Sequence, residues 1–144
     1  MIFIRVFLFF VFLILINGFA FSQVDSIQKG TANYYSDKMQ GRRTFTAEKY
    51  NKNAFTAAHA TLPMNTMVKV TNLKNGKTTI VRINDRCSNN AKRVVDLSKA
   101  AAKEIDMIRD GVVQVKVEVL PADYKTQMPI DSVKVEIPAD TLAH

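Results

Sequence analysis

The amino-acid sequence predicts a mainly β domain of about six short strands and one helix, closed into a small barrel. Two β-rich runs, 66–72 and 77–84, are separated by four residues that include Asn-Gly, a strong hairpin signal. A third run, 113–119, alternates valine with polar residues, as half-buried strands do. A single predicted helix is too few for the strand–helix–strand units of a parallel sheet, so closure into a barrel is favoured.

The other elements follow in chain order. Aromatic residues in 30–36 predict the first strand. The polar stretch 37–53 predicts a long loop with a short turn near Glu48, and loops of this length in a compact domain are often functional. The segment 55–62 is short and mixed, and it ends at Pro63 without a clear preference.

The second half of the hairpin leads to a residue of chemical interest. Its second strand ends as Val-Arg-Ile-Asn and delivers Asp85 to the loop that follows. Residues 94–97 predict a brief apolar strand, after which Ser98 can cap an alanine-rich helix over 99–107. The folded domain is therefore expected to cover 29–120.

Both ends of the chain are expected to lie outside that domain. A signal peptide is predicted over 1–22, with cleavage after Ser22. The signals are Arg5, an apolar run of 11 residues over 6–16, and small residues just before the cleavage site. The run is too short for a spanning helix, which needs ~20 residues, and no cysteine near the cut offers a lipid attachment site. We therefore expect a periplasmic or secreted product with no stable membrane anchor. The tail, 121–144, contains a near repeat of the sequence of the preceding strand and is expected to add an edge strand or to be disordered.

The net charge of the chain limits the classes of partner that it is expected to bind. The chain has 20 Lys and Arg against 13 Asp and Glu, and the leader holds one of the cations, Arg5, so 19 remain and the mature net charge is +6. A basic exported domain favours cell-wall glycan that carries peptide carboxylates, or an anionic membrane surface. Nucleic acid is not expected, because of export and because no basic run is interleaved with aromatics. Cys87 is the single cysteine, so no internal disulfide is expected.

Three segments combine residue types that could carry chemistry: 41–51 (GRRTFTAEKYN), 56–63 (TAAHATLP) and 68–86, which extends from VKVTNLKNGK to VRINDR. Followed by 94–105 (VVDLSKAAAKEI) and the terminal VKVEV strand, they resemble the RlpA-like family in order and spacing across about ninety residues. The resemblance implies a six-stranded double-psi β-barrel with one or two short helices and a glycan-binding groove. It also implies lytic transglycosylase activity on peptidoglycan glycan strands, with no cofactor, and we expect a monomer.

The family's three motifs carry a glutamate, a histidine and an aspartate, which correspond here to Glu48, His59 and Asp85. Breaking a glycosidic bond needs a protonated carboxyl group beside the leaving oxygen, and burial in a partly apolar groove raises a carboxyl pKa. Asp85 is therefore the predicted catalytic acid. Because the sugar's own 6-hydroxyl closes a 1,6-anhydro ring, one carboxyl group is enough. Glu48 and His59 are predicted to tune Asp85, orient the substrate or share the proton.

Each of these residues also has a purely structural interpretation. Asp85 could cap its loop or pair with Arg82 or Arg86, His59 could be a satisfied histidine packed under the barrel, and Glu48 could be a solvated carboxylate. A metal site is not predicted, because the second histidine is the last residue of the chain. Hydrolysis to reducing sugars would need a second carboxylate, for which Glu48 is the candidate.

Sugar-contacting residues are expected around the same groove. Tyr34 and Tyr35 alternate on their strand, so one of them faces the core, and Tyr35 is predicted to face the groove. Arginines could attract lactyl or peptide carboxylates or serve solubility alone. Those predicted to bind substrate are Arg42, Arg43, Arg86 and Arg93.

The chain departs from the family pattern at two places, and two alternative functions are also considered. Cys87-Ser88 replaces the usual Gly-Pro after Asn-Asp-Arg, and Ala47 replaces the usual glycine before the glutamate, and both changes stiffen or enlarge the rim of the groove. A Cys/His hydrolase that pairs Cys87 with His59 is one alternative. The other is a non-catalytic, expansin-like wall-binding module that uses the same groove without cleavage.

Overall fold

The computed structural model describes residues 27–90 and 92–124. The strands within these ranges are β1 (Ile27–Tyr34), β2 (Thr56–Ala58), β3 (Met67–Asn72), β4 (Thr78–Asp85), β5 (Arg93–Leu97) and β6 (Val113–Val119). In the same ranges, one α-helix, α1 (Lys99–Glu104), follows β5, and a 3-10 turn (Asp37–Met39) follows β1. The predicted leader and most of the predicted tail lie outside the described residues.

The strands form a closed barrel in the order β1-β5-β2-β4-β3-β6. The β1–β5 and β2–β4 pairs are parallel, and the other four neighbouring pairs are antiparallel. Parallel neighbours need a crossover between them, and β3 lies in the connection between β2 and β4. The mainly β class expected from the sequence, with six strands, a short helix and barrel closure, is confirmed.

Apolar side chains that alternate with polar ones along the strands form the core of the barrel. Val113, Val115 and Val117 of β6 are buried and Gln114 is exposed, so the period of two in the sequence separates an inner from an outer face. Each side chain of this kind contributes about 1.5–3 kcal/mol when it is fully buried. The same period fills the core from β3 and β4 with Val68, Val70, Val81 and Ile83.

The predicted hairpin is the β3–β4 pair. Its turn depends on Gly76, whose φ of +75° lies in the left-handed region, and on a hydrogen bond of 2.9 Å from the Asn72 N–H to the Lys77 carbonyl. Asp85 is the last residue of β4, whereas the sequence placed it in the following loop. Strand pairing therefore fixes the Asp85 backbone.

The helix prediction is right at its start and too long at its end. The Ser98 hydroxyl accepts from the Ala101 N–H at 3.3 Å, as expected for an N-cap. The helix ends at Glu104 and does not reach Met107, because Asp106 adopts a φ of +53° and Met107 turns into the core. The first strand begins earlier than predicted, since residues 27–32 pair with β6.

The long loop between β1 and β2 folds over the end of β4. Arg43 and Lys49 form an isolated bridge around a turn, and Tyr50 is buried. The Thr46 N–H donates to the Asn84 carbonyl at 3.2 Å, which fastens the turn to β4. The predicted loop and its turn near Glu48 are thus present, and they cover the strand that carries Asp85.

Candidate active site

Two aspartates flank one alanine across three neighbouring strands. Ala58, the last residue of β2, lies opposite Asp85 on β4 and opposite Asp96 on β5. Neighbouring strands are about 4.8 Å apart, so the two aspartate Cα atoms are separated by roughly 10 Å. The β2–β4 register shifts at this point, and the two carboxyl groups are close enough for the Asp85 charge to contribute to the raised pKa of Asp96.

Three donors hold the Asp85 carboxyl group. Its Oδ1 accepts from the backbone N–H of Phe45 at 2.9 Å and from that of Arg86 at 2.8 Å. Its Oδ2 accepts from the Tyr35 hydroxyl at 2.7 Å. The side chain is half-buried, and each donor comes from a different segment. Asp85 is therefore locked in one orientation at the point where the long loop meets β4.

Tyr35 is the tyrosine that lies against Asp85. Its ring packs edge-on against Tyr50 with centroids 4.8 Å apart. Burial, followed by the hydrogen bond to Asp85, raises the pKa of Tyr35 far above its usual value, so its hydroxyl keeps the proton and donates. The Tyr34 hydroxyl instead donates to the Ile108 carbonyl, beside the core. Contact of Tyr35 with sugar stays a prediction.

Asp96 is a second acid that sequence reasoning missed. Its side chain is 15% exposed, and its Oδ1 lies 3.4 Å from Arg93 Nε. Burial raises the pKa of Asp96, the Arg93 charge partly offsets this, and the charge of Asp85 adds to the rise. The sequence signal that could have identified Asp96 is the presence of a carboxylate inside the predicted apolar strand 94–97.

Glu48 fastens the loop to β4. Its two carboxylate oxygens accept from Arg82 Nη1 and Nη2 at 2.8 and 2.7 Å, and Oε2 also accepts from Asn84 Nδ2 at 3.2 Å. The Arg82 hydrogen bond lowers the pKa of Glu48, so this carboxylate is ionised at neutral pH. A catalytic role for Glu48 stays a prediction.

His59 is a buried histidine whose ring nitrogens are both engaged. Nδ1 accepts from the backbone N–H groups of Thr61 and Leu62 at 3.2 and 3.1 Å, and Nε2 lies 3.0 Å from Gln28 Oε1. These contacts assign the ring proton to Nε2. Burial lowers the pKa of His59, and the Arg86 charge adds to the effect. The contacts match the satisfied histidine of the structural interpretation, and proton transfer by this ring stays a prediction.

The four predicted substrate arginines divide into two classes. Arg86 Nη1 donates to the carbonyls of the 59–62 turn, at 3.1 and 2.6 Å, and Arg93 binds Asp96 and the Ser88 hydroxyl. Both guanidinium groups thus support the site from within. Arg42 and Arg43 are exposed on the long loop, where they contact a thioether and a carbonyl oxygen. Contact of the four arginines with substrate stays a prediction.

Cys87 is a free, half-buried thiol. Burial raises its pKa, with the charge of Asp96 adding to the rise, so the thiol is protonated at neutral pH. The His59 ring bonds to Gln28 and to its own turn. The arrangement therefore does not favour the Cys/His hydrolase.

Two depressions on the described surface do not include Asp85. One, of about 560 Å³, has Leu73 and Val112 in its lining, and the other, of about 450 Å³, has Tyr34 and Lys99. No cluster of three His, Cys, Asp or Glu that could hold a metal occurs in 27–90 or 92–124. The described residues also contain no helix long and apolar enough to cross a membrane.

Sequence comparison finds relatives over the barrel. The family model described as lytic transglycolase matches residues 27–117. A protein named endolytic peptidoglycan transglycosylase RlpA from Neisseria meningitidis serogroup B is 48% identical over 91 residues, which are 63% of this chain and 38% of the relative. The protein of the same name from Haemophilus influenzae is 52% identical over 94 residues, 65% of this chain and 33% of the relative. This chain therefore spans well under half the length of these relatives.

Solved structures agree on the fold. An expansin from Clavibacter michiganensis superposes with a TM-score of 0.54 and 19% identity, covering 67% of this chain and 51% of the expansin. The Streptomyces papain inhibitor superposes with a TM-score of 0.53 and 23% identity, covering 69% of this chain and 98% of the inhibitor. At such identities the likeness concerns the barrel alone.

Proposed function

This chain belongs to the lytic transglycolase family of RlpA-like double-psi β-barrels, and from that premise we propose that it is a peptidoglycan lytic transglycosylase. In this proposal it is a carbon–oxygen lyase that cleaves the bond between MurNAc and GlcNAc and leaves a 1,6-anhydro end. The observation that carries the proposal is the Asp85 carboxyl group, fixed by three donors and paired across Ala58 with Asp96.

The reaction needs one proton delivered and one removed. The glycosidic oxygen takes a proton as its bond to the anomeric carbon breaks, and the 6-hydroxyl of the same MurNAc loses a proton as its oxygen bonds to that carbon. A carboxyl group that gives the first proton can take the second, so the enzyme ends in its starting state. We assign this exchange to the protonated form of the Asp85 carboxyl group, because that group is half-buried at the end of β4 and is held by three donors.

Asp96 is proposed to assist Asp85 by opposing its ionisation, so that Asp85 itself carries the proton that is delivered. Two nearby carboxylates resist being ionised together. The Asp85 charge contributes to the raised pKa of Asp96, after burial, and this supports an interaction between the two groups. Tyr35, which stays protonated, orients Asp85 without competing for the transferred proton.

The partner and the location are part of the proposal. Peptidoglycan lies outside the cytoplasmic membrane, which agrees with the signal peptide predicted over 1–22. Arg42 and Arg43, exposed on the long loop, are proposed to meet lactyl or peptide carboxylates of the wall. The domain that performs these tasks is proposed to be residues 29–120, acting as a monomer.

The test is digestion of purified sacculi and of peptide-stripped glycan strands, with products identified by mass spectrometry. Release of 1,6-anhydromuramyl ends is expected. Asp85→Asn should lower that release by about 10²–10⁴-fold, the usual contribution of a positioned proton donor. Asp110→Asn is the matched control, because Asp110 pairs with Lys74 at the hairpin turn, the opposite end of β4 from Asp85. Unchanged release by the Asp85 variant would remove Asp85 from this role.

Asp96→Asn separates the two aspartates. It should lower the rate less than Asp85→Asn and move the alkaline limb of the pH–rate profile to lower pH, because a neutral neighbour no longer helps to retain the proton. An unshifted limb would reject the paired carboxyls. Reducing ends among the products would indicate hydrolysis, and binding or softening of the wall without products would indicate the expansin-like alternative.

A further inference from the structure

Phe45 is the most exposed large apolar side chain in the described part of the chain, with 65% of its surface accessible. Single exposed apolar residues are common, so exposure alone assigns nothing. The distinguishing feature is position, since the Phe45 backbone N–H is one of the three donors to Asp85, at 2.9 Å. The ring is therefore attached directly beside the carboxyl group of the proposed catalytic residue.

The ring's anchorage is rigid. The residues on either side of Phe45 are fixed by hydrogen bonds, from the Thr44 N–H to the Glu48 carbonyl at 2.8 Å and from the Thr46 N–H to the Asn84 carbonyl at 3.2 Å. On one side of the ring the Arg86 guanidinium carbon lies 5.3 Å from the centroid, within cation–π range. The high exposure leaves the rest of the ring surface open to a ligand.

We propose that Phe45 is a stacking platform for a pyranose ring of the glycan strand, in the subsite next to the bond that is cleaved. An aromatic face carries a negative quadrupole, and it attracts the weakly positive C–H groups that line the face of a pyranose. Because 65% of Phe45 is accessible and its backbone N–H contacts Asp85, the exposed ring itself is the surface on which the sugar would lie. This inference rests on the proposed function, and it names the residue that positions the substrate.

The experiment measures binding separately from cleavage. Affinity for peptide-free peptidoglycan oligosaccharides is measured by calorimetry in an Asp85→Asn background, where turnover is suppressed. Phe45→Ala should weaken binding about three- to tenfold, the range of an aromatic stacking contact. Phe45→Trp should retain or increase affinity, and Phe45→Leu, which keeps apolar area without a flat ring face, should resemble alanine. Leu73→Ala, which removes an exposed apolar side chain at the hairpin turn, is the control and should change nothing.

The cleavage assay gives the complementary readout. With Asp85 intact, Phe45→Ala should raise KM with a smaller effect on kcat, because its backbone N–H still reaches Asp85. Equal affinity of the alanine and phenylalanine proteins would overturn the inference, as would full affinity of Phe45→Leu. A fall in kcat at unchanged affinity would also overturn it and assign Phe45 to positioning Asp85. A parent protein that binds the oligosaccharide and releases no anhydro ends would sink the proposed function and leave the binding comparison intact.

Discussion

Ala47 is a strained residue in the loop that holds Asp85, and its replacement by glycine should stabilise the protein. Its φ is +66°, in the left-handed region where a β-carbon crowds the following carbonyl. That conformation costs an alanine about 1–2 kcal/mol. Glycine avoids the cost and loses about 0.5–1 kcal/mol more conformational entropy on folding. The difference is a net stabilisation of up to about 1.5 kcal/mol for Ala47→Gly, with a midpoint of about 0.75 kcal/mol.

Thermal and urea denaturation measure this difference directly. In a domain of this size about 1 kcal/mol corresponds to a rise in Tm of roughly 4–8 °C. Ala54→Gly is the matched control, since it makes the same chemical change in the same loop at a residue without a positive φ. It should lower the stability by about 0.5–1 kcal/mol.

Opposite signs for the two glycine variants are the signature of backbone strain at Ala47. Equal losses of stability in both variants would contradict a left-handed Ala47 in solution. The Ala47 side chain makes none of the hydrogen bonds that join the loop to β4, which come from Thr46, Phe45 and Glu48. The activity of Ala47→Gly should therefore equal that of the parent protein.

Three further substitutions test the structure around the site. Burial lowers the pKa of His59 in the folded state, so the unfolded chain takes up the proton at a higher pH than the folded protein does. The free energy of unfolding should therefore fall as the pH drops below about 6.5. His59→Gln should reduce this pH dependence, as measured by urea titrations at several pH values. A β-carbon at Gly30 would lie 2.7 Å from a backbone carbonyl beside β5, so Gly30→Ala should lower the free energy of unfolding by about 1–3 kcal/mol, and an unchanged urea midpoint would contradict the close contact. Tyr35→Phe removes one of the three donors that orient Asp85; kcat should fall about tenfold or more because misplacement of a reacting group is costly, whereas Tyr34→Phe should leave kcat unchanged, and equal effects would show that Tyr35 does not orient Asp85.

Local sequence signals were sufficient for most of the fold. The Asn-Gly turn, the valine alternation of β6 and the serine cap of α1 each act within a few residues, and each is present in the structure. The errors lie at element ends, where tertiary contacts decide. Met107 leaves the helix to enter the core, and Ile27 joins β1 because β6 pairs with it.

The candidate site was harder to predict from the sequence, because it forms only through the pairing register of strands that are distant along the chain. Asp96 becomes a neighbour of Asp85 only because β2 lies between β4 and β5 and puts Ala58 opposite both. No spacing along the chain reveals that pairing. Phe45 escaped notice for a related reason, since its contact with Asp85 uses the backbone N–H, which carries no residue-specific signal.

The two departures from the family pattern differ in their consequence for the site. The donors to Asp85 are Tyr35, Phe45 and Arg86, all of which precede Cys87, so the Cys87-Ser88 pair lies outside the hydrogen-bond set that fixes the carboxyl group. The Ala47 departure lies inside the turn that carries the Phe45 donor, where it imposes a left-handed alanine. The bidentate pair of Arg82 with the neighbouring Glu48 is partly exposed, so it contributes only about 1 kcal/mol or less. That pair offsets part of the strain, and the Thr46 N–H bond to the Asn84 carbonyl also holds the loop, so the loop keeps its donor on Asp85 despite the missing glycine.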